Sequence, residues 1–96
     1  MNRRTRFIKE EARLLGAMLG VRWEESPFDV EQLRRGLDVE LEHGRHARDT
    51  NVTDDDPLLT TKIALAHLRE LPDYYTRLAH MESEAERDLS REDVPA

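Results

Sequence analysis

The chain has 96 residues, with charged and hydrophobic side chains each making up 38%, which bounds it to one domain with a modest core and frayed ends rather than disorder throughout. It contains no cysteine, so disulfides, thiolate metal sites and thiol nucleophiles are excluded. The net charge of -6 argues against duplex DNA as the main partner, because phosphate neutralisation dominates such binding.

The first predicted helix runs from about Arg4 to Leu19. Phe7, Ile8, Ala12, Leu14, Leu15, Met18 and Leu19 recur at spacings of three and four, and Gly20 suits a helix end. Residues 1–22 carry Arg3, Arg4, Arg6, Lys9, Arg13 and Arg22 against Glu10 and Glu11, a local +4, while the rest of the chain is at -10. Short charge clusters seldom denote binding on their own, so this basic stretch reads first as a solvated face, and a nucleic-acid accessory role for the basic first helix ranks behind metal binding and an interaction module. Trp23, in the connector that follows, is expected to anchor on the core.

A second helix is predicted to start at Ser26 as cap, with Pro27 in the first helical position and Asp29 as the capping-box carboxylate. Val30, Leu33, Leu37 and Leu41 form its apolar face, and Gly44 is the expected stop. Gly36 lies mid-helix, where it costs about 1 kcal/mol relative to Ala, so another element is expected to pack closely there. Residues 45–56 read as a polar loop ending in Thr53 or Asp56 as the next cap, before Pro57. The third helix, from about Leu58 to Leu71, is apolar nearly all round and is expected to be the central one. Pro72 ends it, and Asp73 is placed to cap a fourth helix carrying Tyr74, Tyr75, Leu78, Met81, Ala85 and Leu89. No alternating run supports a strand. The expected fold is therefore all-α, a three- to four-helix bundle in a single domain, with residues 1–3 and 90–96 disordered. A chain this short gains from association, so a homo-oligomer is expected. No apolar run has the length of a membrane span and no signal core precedes the first helix, so the expectation is no membrane partner and a cytoplasmic location.

Some polar groups break this pattern. Glu40 continues the core-facing row of Val30, Leu33 and Leu37, and His43 follows one turn along the same face. The third helix offers the mirror order, His67 and Glu70, with His67 on the stripe of Ile63, Ala64 and Leu71. Glu82 borders the apolar face of the fourth helix. Side chains at i and i+3 project together and can chelate one ion, and carboxylate with imidazole suits a divalent metal such as Fe, Mn or Zn. Glu40, His43, His67, Glu70 and Glu82 are thus candidate metal ligands, with Tyr74 nearby. The competing reading is a buried hydrogen-bond or ion-pair network with no metal, in a non-enzymatic interaction module. Proton transfer by a buried Glu beside a His is a further use of the same groups, but the sequence names no substrate. The four glycines are isolated, so no phosphate-cradling loop is present. Asp49 to Thr60 lacks the central glycine and terminal glutamate of a calcium loop.

Taken together, Gly36 to Gly44, Lys62 to Glu70, Pro72-Asp73-Tyr74-Tyr75 and Met81-Glu82 resemble a family of short bacterial and phage proteins of unknown function, over roughly residues 28 to 85. The resemblance implies that Glu40, His43, His67, Glu70 and Tyr74 belong to one shared feature, and it implies no activity. A weaker likeness to ferritin-type proteins rests on the single Glu-x-x-His pair, without the second such pair that pattern contains.

Overall fold

In a computed structural model that describes residue 4 and residues 6–92, four helices form the fold: α1 (Lys9–Met18), α2 (Val30–Glu40), α3 (Pro57–Glu70) and α4 (Tyr74–Glu92). Short 3-10 turns lie at Leu41–His43 and Arg48–Thr50. The described residues contain no strand, and the protein is an all-α helical bundle. Residues 1–3 and 93–96, where disorder is expected from the sequence, lie outside the described residues, whereas Ser90 to Glu92 continue α4.

The N-terminal helix begins later than the apolar periodicity suggests. Phe7 precedes it in non-helical backbone yet is only 2% exposed. Its N–H donates to Asp38 Oδ1 at 2.7 Å, so a buried ring and a charge-assisted bond pin this segment to α2. The Ile8 N–H is satisfied by the Glu11 carboxylate at 3.0 Å, which opens α1 at Lys9. Arg4 also pairs with Glu11, and these two interactions hold the Glu11 carboxyl below its ordinary range. At the other end Gly20 takes φ +92°, a left-handed conformation that costs glycine little. The chain then turns so that Trp23 packs against the core and donates its indole N–H to the Arg13 carbonyl at 3.0 Å.

The start of α2 also moves. Asp29, not Ser26, is the cap: its carboxylate accepts from the Gln32 N–H at 2.9 Å. Ser26 is used in the preceding turn, where its hydroxyl donates to the Phe28 carbonyl at 2.7 Å. For α3, Asp56 is the cap, accepting from the Leu59 N–H at 3.0 Å, with Pro57 in the first turn. Asp73 precedes α4, but its carboxylate turns to the Arg77 guanidinium at 2.8 Å.

The centre of the bundle is shared by α2 and α3. Each packs against the other three helices, α2 burying Leu33, Gly36, Leu37 and Glu40 and α3 burying Thr60, Thr61, Ala64, Leu65 and Leu68. The apolar all-round character of α3 is misleading, because Leu59, Ala66 and Leu71 face outward. On its inner side Thr60 and Thr61 are fully buried, donating their hydroxyls to the Asp56 and Pro57 carbonyls at 2.7 Å each, so they behave as core residues. The core itself joins Phe7, Ala12, Leu33, Leu37, Leu65, Leu68 and Tyr75. Only the beginning of α4 reaches it: every side chain from Ala79 to Ser90 is exposed. The helix therefore projects, and the radius of gyration is 15.4 Å against about 12.5 Å for a compact domain of this length.

Candidate functional site

Glu40 is the last residue of α2 and only 3% exposed. It occupies the core-facing row because the helical period carries the Leu33 and Leu37 stripe onto it. An ionised carboxylate in such a place must find partners. Its strongest is Tyr75, at the start of α4, whose hydroxyl donates to Oε2 at 2.7 Å across 35 positions of sequence. Tyr75 is itself 2% exposed. Burial, then the bond to Glu40 and its charge, push the phenol far above its ordinary range, so it stays protonated and serves as a donor.

The ring reaches Glu40 by lying flat against Gly36. A Cβ at position 36 would stand 2.8 Å from Tyr75 Cζ and closer still to Cε2, so the glycine marks the approach of α4 to α2. This is the close packing that the mid-helix glycine predicts.

Two imidazoles flank the carboxylate. His43 Nε2 stands 3.4 Å from Glu40 Oε1, and His67 Nε2 stands 3.7 Å from Oε2. Both separations are ion-pair distances rather than tight hydrogen bonds. His43 sits on the 3-10 turn that tightens the end of α2. Its carbonyl accepts the backbone N–H of Val52 at 2.6 Å and of Thr53 at 3.1 Å, which ties the following loop back onto this turn. That loop is braced further by Arg45, which donates to Asp54 at 2.7 Å. His67 stacks on Tyr74 with ring centroids 4.3 Å apart and planes 4° from parallel, and meets Tyr75 edge-on at 6.3 Å.

The histidines are less buried than their place in the apolar stripes suggests, since the His43 and His67 side chains are 51% and 37% exposed. The physical reason is position. His43 lies beyond the end of α2, where the turn swings it outward, and His67 lies at the rim of the α3 face.

Of the five candidate ligands, the structure brings together Glu40, His43 and His67. Glu70 and Glu82 are exposed, and neither makes a hydrogen bond or ion pair to this group among the described residues. Glu70 lies one turn beyond His67 at the solvent-facing end of α3, and Glu82 is on the projecting half of α4. Among the described residues no group of three or more His, Asp or Glu side chains is arranged to hold a metal ion. Tyr75 is absent from the ligand set that helical spacing suggests, although it makes the shortest contact to Glu40. The signal for it is the pairing of a mid-helix glycine with a downstream aromatic residue.

Apart from this cluster, Arg34 pairs with Glu31 at 2.7 Å and Asp38 at 2.9 Å along α2 itself, and Gln32 donates to Thr76 at 2.7 Å, tying α2 to α4.

A family model described as a protein of unknown function (DUF5661) matches residues 12–84. No curated protein and no solved structure matches the chain.

Proposed function

We propose that this chain, which belongs to the DUF5661 family of proteins of unknown function, is a non-enzymatic interaction module whose Glu40 cluster is a polar lock between helices. The observation that supports this most directly is the buried Tyr75 hydroxyl donating to Glu40 Oε2 at 2.7 Å. A neutral donor already satisfies the carboxylate, and the contact joins α2 to α4 where apolar packing alone would let the two helices slide. Buried, satisfied polar contacts of this kind favour one arrangement of a core over its alternatives. Cytoplasmic residence and a bacterial or phage source remain part of the proposal.

A second reading is a divalent metal that draws Glu40, His43 and His67 into a ligand set they do not form as they stand, in keeping with the weaker ferritin-type likeness. It is favoured by one geometric fact: the two imidazole nitrogens stand 3.4 and 3.7 Å from the two oxygens of one carboxylate. Donors bonded to a common ion at about 2.0–2.2 Å stand at similar separations from one another. Glu70 and Glu82 have no part in that reading.

Titrating Zn²⁺, Mn²⁺ and Fe²⁺ into metal-free protein, with elemental analysis of untagged protein as purified, separates the two. The lock predicts no stoichiometric metal, and a fall in melting temperature for Glu40→Gln and Tyr75→Phe. One tightly bound ion per chain, lost in both His43→Ala and His67→Ala, would overturn the lock in favour of the metal centre.

A further inference from the structure

The projecting half of α4, Ala79 to Ser90, is exposed and amphipathic. Met81 and Leu89 are 59% and 60% exposed. At about 100° per residue, Met81, Ala85 and Leu89 fall on one narrow stripe that continues from Leu78, which packs against the core. Glu82 and Glu86 border it on one side, Glu84 and Asp88 on the other. Ser83, Arg87 and Ser90 fall on the opposite face. The apolar stripe is thus fenced by acids on both edges, with its one fully described cation pointing away.

This pattern narrows the occupant. Two such stripes facing each other would place acid against acid, which disfavours pairing of α4 with itself. Membrane surfaces select helices with basic rather than acidic borders. What the stripe calls for is an apolar groove with a cationic rim.

The same chain presents one. Between the end of α1 and α3 lie two hollows of about 310 and 300 Å³ that share Arg69 as a wall. Half-buried Leu19 and Val21 supply their accessible apolar surface over a floor of the buried Phe28 and Leu65, and Arg22, Lys62 and Arg69 supply cations. Lys62 and Arg69 make no hydrogen bond or ion pair among the described residues, while Arg22 pairs with Glu25, the acid on this rim, at 3.3 Å. Two unspent cations in a chain of net charge -6 are matched by the four acids along the stripe. Another exposed apolar hollow, beside Leu14 and Met18, is a poorer match: its cation, Arg4, already pairs with Glu11, and Asp55 adds a further acid.

We propose that residues 81–89 of α4 dock into the Leu19–Phe28/Lys62–Arg69 groove of a second copy of this chain. Reciprocal docking of both arms makes a closed dimer with the contact repeated twice, whereas one-way docking makes a chain of copies. The inference rests on the reading of the protein as an interaction module and names its partner.

Sedimentation velocity over a concentration series tests it, with circular dichroism melts as the control for folding. The wild type is expected to self-associate, and more weakly at high salt. Leu89→Glu, Lys62→Glu/Arg69→Glu and Glu82→Lys/Glu86→Lys are each expected to weaken association at least tenfold while melting like the wild type. Mixing the two charge-reversed proteins is expected to restore a one-to-one complex, because each then offers the charge its partner lacks. Wild type that stays monomeric at several hundred micromolar would overturn the proposal, and so would association that survives both reversals. Association lost in Leu89→Glu but kept in the groove variant would also overturn it, by showing α4 paired with α4. A metal bound at Glu40 sinks the interaction-module reading and is read in a separate titration, so the two failures are distinguishable.

Discussion

Replacing Tyr75 by Phe removes one oxygen from the centre of the protein and leaves the ring. The ring is 2% exposed and packed on Gly36, so the shape of the core is kept and no large cavity forms. What is lost is the 2.7 Å bond to Glu40 Oε2. That oxygen belongs to a residue 3% exposed, and its remaining neighbour, His67 Nε2, is 3.7 Å away, too far for a compensating hydrogen bond without movement. Hydrogen bonds to charged groups contribute about 1.5–3 kcal/mol, so a loss of about 2 kcal/mol is expected at pH 7. For a domain of this size that corresponds to roughly 8–16 °C in melting temperature. Urea unfolding followed by circular dichroism gives the free energy directly, and an unchanged m-value would show that the folded and unfolded states kept their exposed areas. A double-mutant cycle with Glu40→Gln then isolates the pairwise coupling. If Tyr75→Phe melts within about 2 °C of wild type, the bond contributes nothing net and the lock does not exist.

Gly36→Ala is expected to destabilise by about 1–2 kcal/mol, since overpacking against the Tyr75 ring outweighs the ~1 kcal/mol that Ala gains in helix propensity. In a Tyr75→Leu background the same substitution should cost less, and an equal cost in both backgrounds, by urea unfolding, would show that the ring is not what the glycine admits. The Tyr75 phenol is held above its ordinary value by burial first and Glu40 second; its contribution is therefore complete below about pH 10 and lost as pH rises above it, because only the unfolded chain ionises there. Tyr75→Phe should flatten that alkaline slope, and an unchanged slope would refute the assignment. Glu31 has the opposite sign: its hydrogen bond to Arg34 lowers its carboxyl from 4.5, so it stabilises above that pH and the benefit is lost as pH falls through the lower folded-state value. Glu31→Gln is expected to shallow the acid limb of the stability curve, measured by melts from about pH 7 to about pH 2. Glu70→Gln and Glu82→Gln should each change stability by less than about 0.5 kcal/mol, and a larger loss would mean that one of them has joined the Glu40 group.

Much of the fold is legible in the order of amino acids, and the reasons are local. Periodicity at three and four residues marks the helices, Pro57 and Asp56 mark the start of α3, and Pro72 separates α3 from α4. These are effects of backbone geometry and of hydrogen bonds between near neighbours, which a sequence carries in full. The places where periodicity misleads are equally instructive. Phe7 belongs to the same apolar period as α1 but packs from a non-helical segment, because Asp38 on another helix captures its N–H. Ser26 is as good a cap by type as Asp29, and only the path of the chain decides between them.

For the candidate site, the sequence alone determined that Glu40 falls on a core-facing row and that Gly36 admits a close neighbour, since both follow from one helix's own period. It also placed Glu82 at the border of the apolar face of α4. Which of the five candidate ligands meet was decided by tertiary structure alone. Rotation of α3 leaves Glu70 outside and His67 at the rim, and the length of α4 carries Glu82 past the bundle. Tyr75 reaches Glu40 across 35 positions, a pairing that depends on where Pro72 turns the chain and how closely α4 then approaches Gly36. Spacing within a helix fixes a side chain's direction to within a fraction of a turn. It carries no information about what another helix places opposite.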